Sequence, residues 1–507
     1  MSAGARAGST PGRERVLLGL FLLFLGAALV AIAARRPLWY DELFSWYVAQ
    51  QDGATGVLRA LLAGADNGPP IDYWLRQLSV VLFGDSALAF RAPSIIAYLA
   101  GLLCLWSFVR RRASAGAAWT AVLFPLATAS LYYATEGRAY ALLLFLQAFS
   151  LLAWQRAVDN RDSRRWPVAL FLALAASPLA HYYGVLNYLP VLAGELVRRA
   201  QRGAWSKRVA LSVGLSFLTV ILLPPFARNA LEMRDAFWAS SFGLSTPFSS
   251  YQFLLGKLLV PFVALVALGW ISRRFAKRSD PGPSRLALRG HELGAVAAQI
   301  LLPFVVLALA MLATNAMTHR YAIASCFGFA LLAAHSIAWI ERQAPVLSRL
   351  LIAALFLWGA TQVGAAIESA ARPWATPELE AQLAALDGNV AVECPRLFLE
   401  SYHHLPGELR AKLYYLSDRA EARRRTGYDN DEIAIEKLRP WVDLNNEAYE
   451  PFMLREREFF VLADARRCWL LARLVDDGVE LRFVVRMGSL ELFRATRSAA
   501  DGTPRGS

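Results

Sequence analysis

VLLGLFLLFLGAALVAIAA, residues 16–34, runs through nineteen positions without a charge. A helix rises about 1.5 Å per residue, so a run of about 20 apolar residues matches the hydrocarbon core of a bilayer. Comparable runs recur near 87–109, 116–133, 138–157, 167–180, 182–198, 208–226, 252–271, 293–313, 320–340 and 349–368. The pattern predicts about eleven transmembrane helices. His181 and two tyrosines interrupt the 167–180 and 182–198 pair, and its first member is short. A chain that is 56% hydrophobic and only 18% charged, with a mean hydropathy of +0.36, fits a polytopic α-helical membrane protein rather than a soluble one.

The net charge of +13 is a topology signal. Basic residues cluster in alternate connections: the N-terminal tail, Arg110-Arg111-Arg112, Arg156 to Arg165, Arg198 to Arg208 and Arg273 to Arg289. With a cytoplasmic N-terminus all of them fall inside, which is the positive-inside pattern. Beyond Ala371 acids and bases roughly balance, so no nucleic-acid partner is expected. The first run is too long for a cleaved signal peptide and reads as an anchor. A multi-pass plasma (inner) membrane protein follows. Of four cysteines, Cys104 and Cys326 fall in spans, while Cys394 and Cys468 lie beyond the last one, where a bridge between them is left open.

Residues 1–371 read as the transmembrane domain. Its first outer connection, 35–86, is long and carries amphipathic stretches such as GVLRALLAG and IDYWLRQLSVVLFG, suited to the membrane interface. Residues 372–497 change character. GNVAVECP, AKLYYLSD and REFFVLAD read as strands, NDEIAIEKLRPW and ARRCWLLARLV as helices, and VELRFVVRMG with SLELFRAT as a closing hairpin. The expectation is a small extracytoplasmic α/β domain without a Gly-rich phosphate loop, followed by a disordered tail at 498–507.

Polar clusters stand out at span ends placed outside: Asp41-Glu42, Glu136 with Arg138 and Tyr140, His181-Tyr182-Tyr183, and His319-Arg320-Tyr321. Scattered anchors have no reason to favour one face. Asp41 suits an N-cap for a helix starting at Glu42, a role compatible with catalysis. Adjacent helical residues point about 100° apart, so the two acids cannot serve one reacting atom. Arg138 has the ordinary alternative of an interfacial anchor, and so has the His319-Arg320 pair, which otherwise offers donors to a phosphate. An acid near a span is costly, which makes Glu136 the more informative residue. His181 has the usual structural alternative. No metal set emerges from spacing; Asp41, Glu136 and His181 leave a divalent cation open.

WYDELFSWY after the first span resembles the Asp-Glu signature of the polyprenyl-phosphate-dependent membrane glycosyltransferases, which include protein O-mannosyltransferases and lipid A aminoarabinose transferases. NGPPIDYWLRQLSVVLFGDSALAFRAPSIIAYLAG resembles the continuation of that motif, EGRAYALLLF its second acidic motif and THRYAIAS its late Arg-Tyr motif, over roughly residues 15–340. The resemblance implies transfer of a hexosyl or pentosyl group from a polyprenyl-phosphate donor to a hydroxyl of a lipid, glycan or protein. It implies Asp41 as base, Glu42 and Glu136 positioning acceptor or sugar, and His319 and Arg320 holding the donor phosphate. The glutamate at 136 stands where several relatives carry aspartate. The rival class is a lipid or sugar transporter or flippase. Transporters place polar sites near the midplane in repeated halves, whereas these clusters sit at outer span ends with no internal repeat. A silent scaffold presenting the C-terminal domain has no use for the outer acids.

Overall fold

The computed structural model describes residues 11–160, 162–234, 237–275, 287–465 and 468–497. The N-terminal tail before Pro11, most of the Arg273–Arg289 connection and the expected tail at 498–507 lie outside the described residues.

Helix α1 (Pro11–Arg35) carries the first apolar run. The long connection after it folds into α2 (Tyr40–Ala49), α3 (Gly53–Leu62) and α4 (Ile71–Phe83). Ser86 caps α5 (Ala87–Arg110) by accepting the Ala89 amide at 3.1 Å. Ser114 caps α6 (Ala115–Leu123) in the same way, and a 3₁₀ turn beginning at Phe124 leads into the single turn α7 (Ser130–Tyr133). There follow α8 (Tyr140–Asp159), α9 (Arg165–Ala180), α10 (Tyr188–Arg202), α11 (Lys207–Phe217), α12 (Pro224–Glu232), α13 (Thr246–Leu255) and α14 (Leu259–Phe275). The bundle ends with α15 (Gly290–Ile300), α16 (Leu302–Leu309), α17 (Ser325–Gln343) and α18 (Pro345–Ala370).

Each apolar run read from the sequence falls on helix, but not every run is one straight rod. Among the described residues, five helical segments are long and apolar enough to cross a membrane, or seven when two bent pairs each count as one. The bends lie at Leu223–Pro224 (53°) and at Leu301 before Pro303 (48°). Proline removes a backbone donor and crowds the preceding turn, so a helix breaks there. The chain is a multi-pass membrane protein. Helix α8 is largely enclosed by its neighbours, whereas α18 buries few of its residues fully and leaves apolar side chains such as Leu350, Phe356 and Leu357 exposed, as a lipid-facing helix does. At one end of the bundle Asp159 gathers Arg111 (2.7 Å), Arg112 (2.7 Å) and Arg289 (3.0 Å), and Arg112 also donates to Glu292 at 2.7 Å. The basic connections beside α5, α8 and α15 therefore meet on one side, as the charge pattern requires.

Helix α4 has inverted amphipathicity. Asp72 and Arg76 are buried against the protein, while Leu78, Val81 and Leu82 are exposed. An apolar outer face with a polar inner one fits a helix lying against lipid.

The C-terminal residues build a six-stranded sheet in the order β3 (Asn446–Ala448), β2 (Leu413–Ser417), β1 (Val390–Val392), β4 (Glu458–Asp464), β6 (Leu490–Thr496), β5 (Glu480–Met487). The first four run parallel; β5 and β6 form the antiparallel hairpin. Its helices are α19 (Pro377–Ala384), α20 (Pro395–His404), α21 (Gly407–Arg410), α22 (Arg419–Thr426), α23 (Asn430–Leu438), α24 (Tyr449–Arg455) and α25 (Leu470–Asp476). Side chains alternate between two cores: Val390 and Val392 face α20 and the outer connection, Ala391 faces α24 and α25. Strand β3 and helix α20 went unread in the sequence, and the helix expected over ARRCWLLARLV starts only at Leu470, with Arg466 and Arg467 outside the described residues. A Cys394–Cys468 disulfide ties the start of α20 to the approach of α25, and Cys104 and Cys326 are free and buried.

The sheet half docks onto α2. Glu400 of α20 accepts the Tyr40 amide at 3.0 Å and the Trp374 indole at 2.9 Å. His404 Nε2 hydrogen-bonds the Leu38 carbonyl at 2.8 Å, and Gln51 donates to the Trp441 carbonyl at 3.3 Å.

Candidate active site

Helix α2 begins two residues earlier than a cap at Asp41 requires: Trp39 is the N-cap and Asp41 sits in the first turn. Glu42 occupies the third helical position and accepts the Trp39 amide at 3.4 Å, closing the turn on itself. The two acids then diverge, as adjacent helical residues do.

Glu42 points into the protein and is 0% exposed. Arg91 clasps it with two bonds, Nε to Oε1 at 2.7 Å and Nη2 to Oε2 at 2.5 Å, and the Gly137 amide also donates to Oε1. Burial opposes its ionisation, but the Arg91 charge and hydrogen bonds hold its carboxyl below the ordinary value. Arg91 spends its remaining donors on the carbonyls of Ala33, Arg36 and Pro37, tying α5 to the end of α1. Gly137 has no room for a side chain: a Cβ there meets Phe90 at 2.1 Å. Three residues after Arg91, Ser94 donates to the Glu136 carbonyl at 2.6 Å and accepts from Arg76 at 3.1 Å. The Arg-x-Pro-Ser stretch is therefore a two-pronged brace, one prong under Glu42 and one under Glu136. Glu42 is thus enclosed by Arg91, Gly137 and Trp39, on the side of α2 away from Arg320.

Asp41 points the other way. Its Oδ2 accepts Arg320 Nη1 at 2.6 Å, and both side chains are 21% exposed. Arg138 Nη1 donates to the Asp41 carbonyl (3.0 Å), Ser45 Oγ (2.6 Å) and Asp66 Oδ2 (2.6 Å), so it is built into the site rather than anchoring the interface. Glu136 is fully buried; Oε1 accepts the Trp39 indole at 3.1 Å, and Oε2 has no partner. Burial, then the charge of Glu42, pushes its carboxyl up to about 7 against the pull of Arg320. The Arg320 guanidinium lies 5.8 Å from the Tyr140 ring centre, Tyr140 is 5.3 Å from the His181 ring, and His181 is 6.2 Å from Tyr321. Tyr321 stacks on Tyr183 at 4.1 Å. His181 Nδ1 accepts the Tyr183 amide at 3.1 Å, and the buried Tyr182 hydroxyl has no partner.

Asp41, Glu136, Arg138, Tyr140, His181, Arg320 and Tyr321 thus come together from distant parts of the chain. His319 contacts a different element: its ring meets Ser250 Oγ at 3.0 Å and stacks on Phe253 in α13. No group of three or more His, Cys, Asp or Glu residues suited to a metal ion occurs among the described residues. Sequence reasoning passed over Arg36, Asp66, Arg76 and Arg91. The signal was there in the last two, a charge inside an otherwise apolar stretch, which is expensive without a partner.

Residues 67–228 match the sequence profile of the family described as dolichyl-phosphate-mannose-protein mannosyltransferase. No curated protein matches the chain. The crystal structure of ArnT from Cupriavidus metallidurans in the apo state superposes with a TM-score of 0.61 at 14% identity, covering 96% of this chain and 98% of that one. The fold is that of ArnT. The same protein bound to undecaprenyl phosphate gives a TM-score of 0.59 at 14% identity over the same shares of both chains. The ArnT-like fold spans the helical bundle and the sheet together. The resemblance to polyprenyl-phosphate-dependent membrane glycosyltransferases is present both in local sequence and in the course of nearly the whole chain.

Proposed function

We propose that this protein transfers a sugar from a polyprenyl-phosphate donor to an acceptor hydroxyl, at a site on the extracytoplasmic face. The observation that carries the reading is the Asp41–Arg320 pair, a carboxylate and a guanidinium joined at 2.6 Å across 279 residues of sequence. Transfer needs a base for the acceptor and a cation for the phosphate that departs. In the proposed step the acceptor oxygen attacks the anomeric carbon as Asp41 takes its proton. The bond from that carbon to the phosphate oxygen breaks, and the phosphate keeps the electron pair beside Arg320. A single displacement inverts the anomeric centre. Arg320 Nε and Glu136 Oε2 are buried without partners, as groups awaiting a ligand are. A donor phosphate that takes up Arg320 also releases Asp41 from its ion pair, so base and leaving-group site become ready together. Tyr140, His181, Tyr182 and Tyr321 line the approach as sugar-binding rings. Glu42, held by Arg91, positions α2. The undecaprenyl phosphate bound by ArnT supports a lipid of this class as carrier here. The side of the membrane is supported by the basic connections gathered at the opposite end and by the disulfide, which persists in oxidising compartments.

Asp41→Asn tests this. Membranes supplied with polyprenyl-phosphate sugars and candidate acceptors are expected to lose transfer by about 10²- to 10⁴-fold, the usual worth of a general base, with the protein still folded. Undiminished transfer removes Asp41 as the base.

A further inference from the structure

The bend between α15 and α16 lies beside the turn that carries Arg320. Pro303 has no amide, so the carbonyl of Gln299, four residues earlier, loses its helical donor. The Phe304 amide turns to the Leu301 carbonyl at 3.1 Å, which frees the Ile300 carbonyl as well. Both freed groups are taken by other helices. Ser325 Oγ donates to the Gln299 carbonyl at 2.8 Å, and the Tyr251 hydroxyl donates to that of Ile300 at 2.9 Å. A broken helix is tolerated inside a membrane where neighbouring side chains satisfy its backbone in this way.

The Gln299 side chain grips the same stretch. Its Nε2 donates to the Ala324 carbonyl at 2.9 Å and to Gln147 Oε1 of α8 at 2.7 Å. Gln147, Gln299 and Ser325 are all fully buried. Gly328 of α17 packs so closely that a Cβ there would stand 3.1 Å from Gln299 Cβ. From Ala324 the path to Arg320 is short, because the Ile323 amide donates to the Arg320 carbonyl at 3.1 Å. Helix α13 holds the other end of the turn: Ser250 meets the His319 ring at 3.0 Å, one residue before the Tyr251 that satisfies the break. The 3₁₀ turn His319–Ala322 is therefore held at both ends by elements that meet at the bend. The amide pair leaves Gln147 Nε2 and Gln299 Oε1 without partners among the described residues. Leucines of the same volume would fill the space at less cost, so packing alone does not account for it.

We propose that Gln299 is a positioning residue for Arg320: it fixes the turn that aims the guanidinium at the place where the donor phosphate stands beside Asp41. The inference rests on the transfer reaction proposed above, in which Arg320 meets the phosphate, and adds the device that holds it there.

The test uses the full-length protein in detergent, with undecaprenyl phosphate as the binding probe and a polyprenyl-phosphate sugar as donor in the transfer assay. Gln299→Leu keeps the volume and removes the amide. It is expected to weaken undecaprenyl phosphate binding about 10-fold, the worth of one misplaced hydrogen bond to a charged group. The donor KM rises by a similar factor, and the acceptor KM does not move. In an Arg320→Ala background the same substitution changes binding no further, because it acts only through Arg320. Ser325→Ala, a milder loosening of the same contact, shifts binding in the same direction by a smaller factor. Unaltered binding by Gln299→Leu, or a loss that persists undiminished in the Arg320→Ala background, overturns the assignment. If Gln299→Leu yields no folded protein, the same two outcomes are read on Ser325→Ala. An Arg320→Ala protein that binds undecaprenyl phosphate as the wild type does removes the phosphate from Arg320 instead, and with it the reading on which the inference rests.

Discussion

At the scale of single residues, the site works by giving neighbouring acids different surroundings. Glu42 meets Arg91 and stays charged; Glu136 meets burial and the charge of Glu42 and holds its proton to about 7. The ordinary value for that carboxyl is 4.5. Between about 4.5 and about 7 the folded protein keeps a proton that the unfolded chain has released, so this group's contribution favours folding at the acid end and declines as pH rises through about 7. Thermal unfolding in detergent is expected to show the midpoint falling across that window, and Glu136→Gln to flatten the fall. Parallel profiles for the two proteins refute the account. The identity of these residues was legible from the sequence, because an acid beside an apolar run has no cheap explanation. What each acid does was not: the split between Asp41 and Glu42 follows from helix geometry, but which of them faces Arg91 depends on a residue 49 positions away.

At the scale of elements, α2 is held from below by α5 and from above by α20. The lower hold is a fully buried ion pair, Glu42 with Arg91, and such a pair is a liability when half of it is removed. Arg91→Met is expected to destabilise the protein by about 3–5 kcal/mol, the usual consequence of stranding a buried charge, read as a lower midpoint in detergent or loss of folded material. Glu42→Gln added to it is expected to restore part of the loss; a double variant worse than the single one contradicts the pairing. The helical runs were legible because apolar length is a direct physical requirement for crossing a bilayer. Their breaks at Pro224 and Leu301 were less so, since a proline in a long apolar run reads equally as a kink or an end. Strand β3 was missed because three residues, of which only Asn446 is buried, are too few to carry an alternation of their own.

At the scale of the molecule, the sheet half meets the membrane half at α2, and the sheet half is expected outside. A cysteine at Phe483, exposed on the edge strand β5, is expected to react with a membrane-impermeant maleimide added to intact cells, while one at Arg111, among the gathered arginines, reacts only after permeabilisation. The reverse pattern inverts the topology. That the two halves meet at α2 was not legible, because the Tyr40–Glu400 contact joins residues 360 apart and leaves no local trace. The same contact sets an order of events. Asp41 is translated near the beginning and Glu400 some 359 residues after it; at the usual 5–20 residues per second the interval is about 20–70 s. Throughout that interval the growing chain holds Asp41, the proposed base, while the residue that fastens α2 to the sheet half is still unmade. A polypeptide whose synthesis stops early therefore leaves α2 without its upper hold, so the last part made fastens the first.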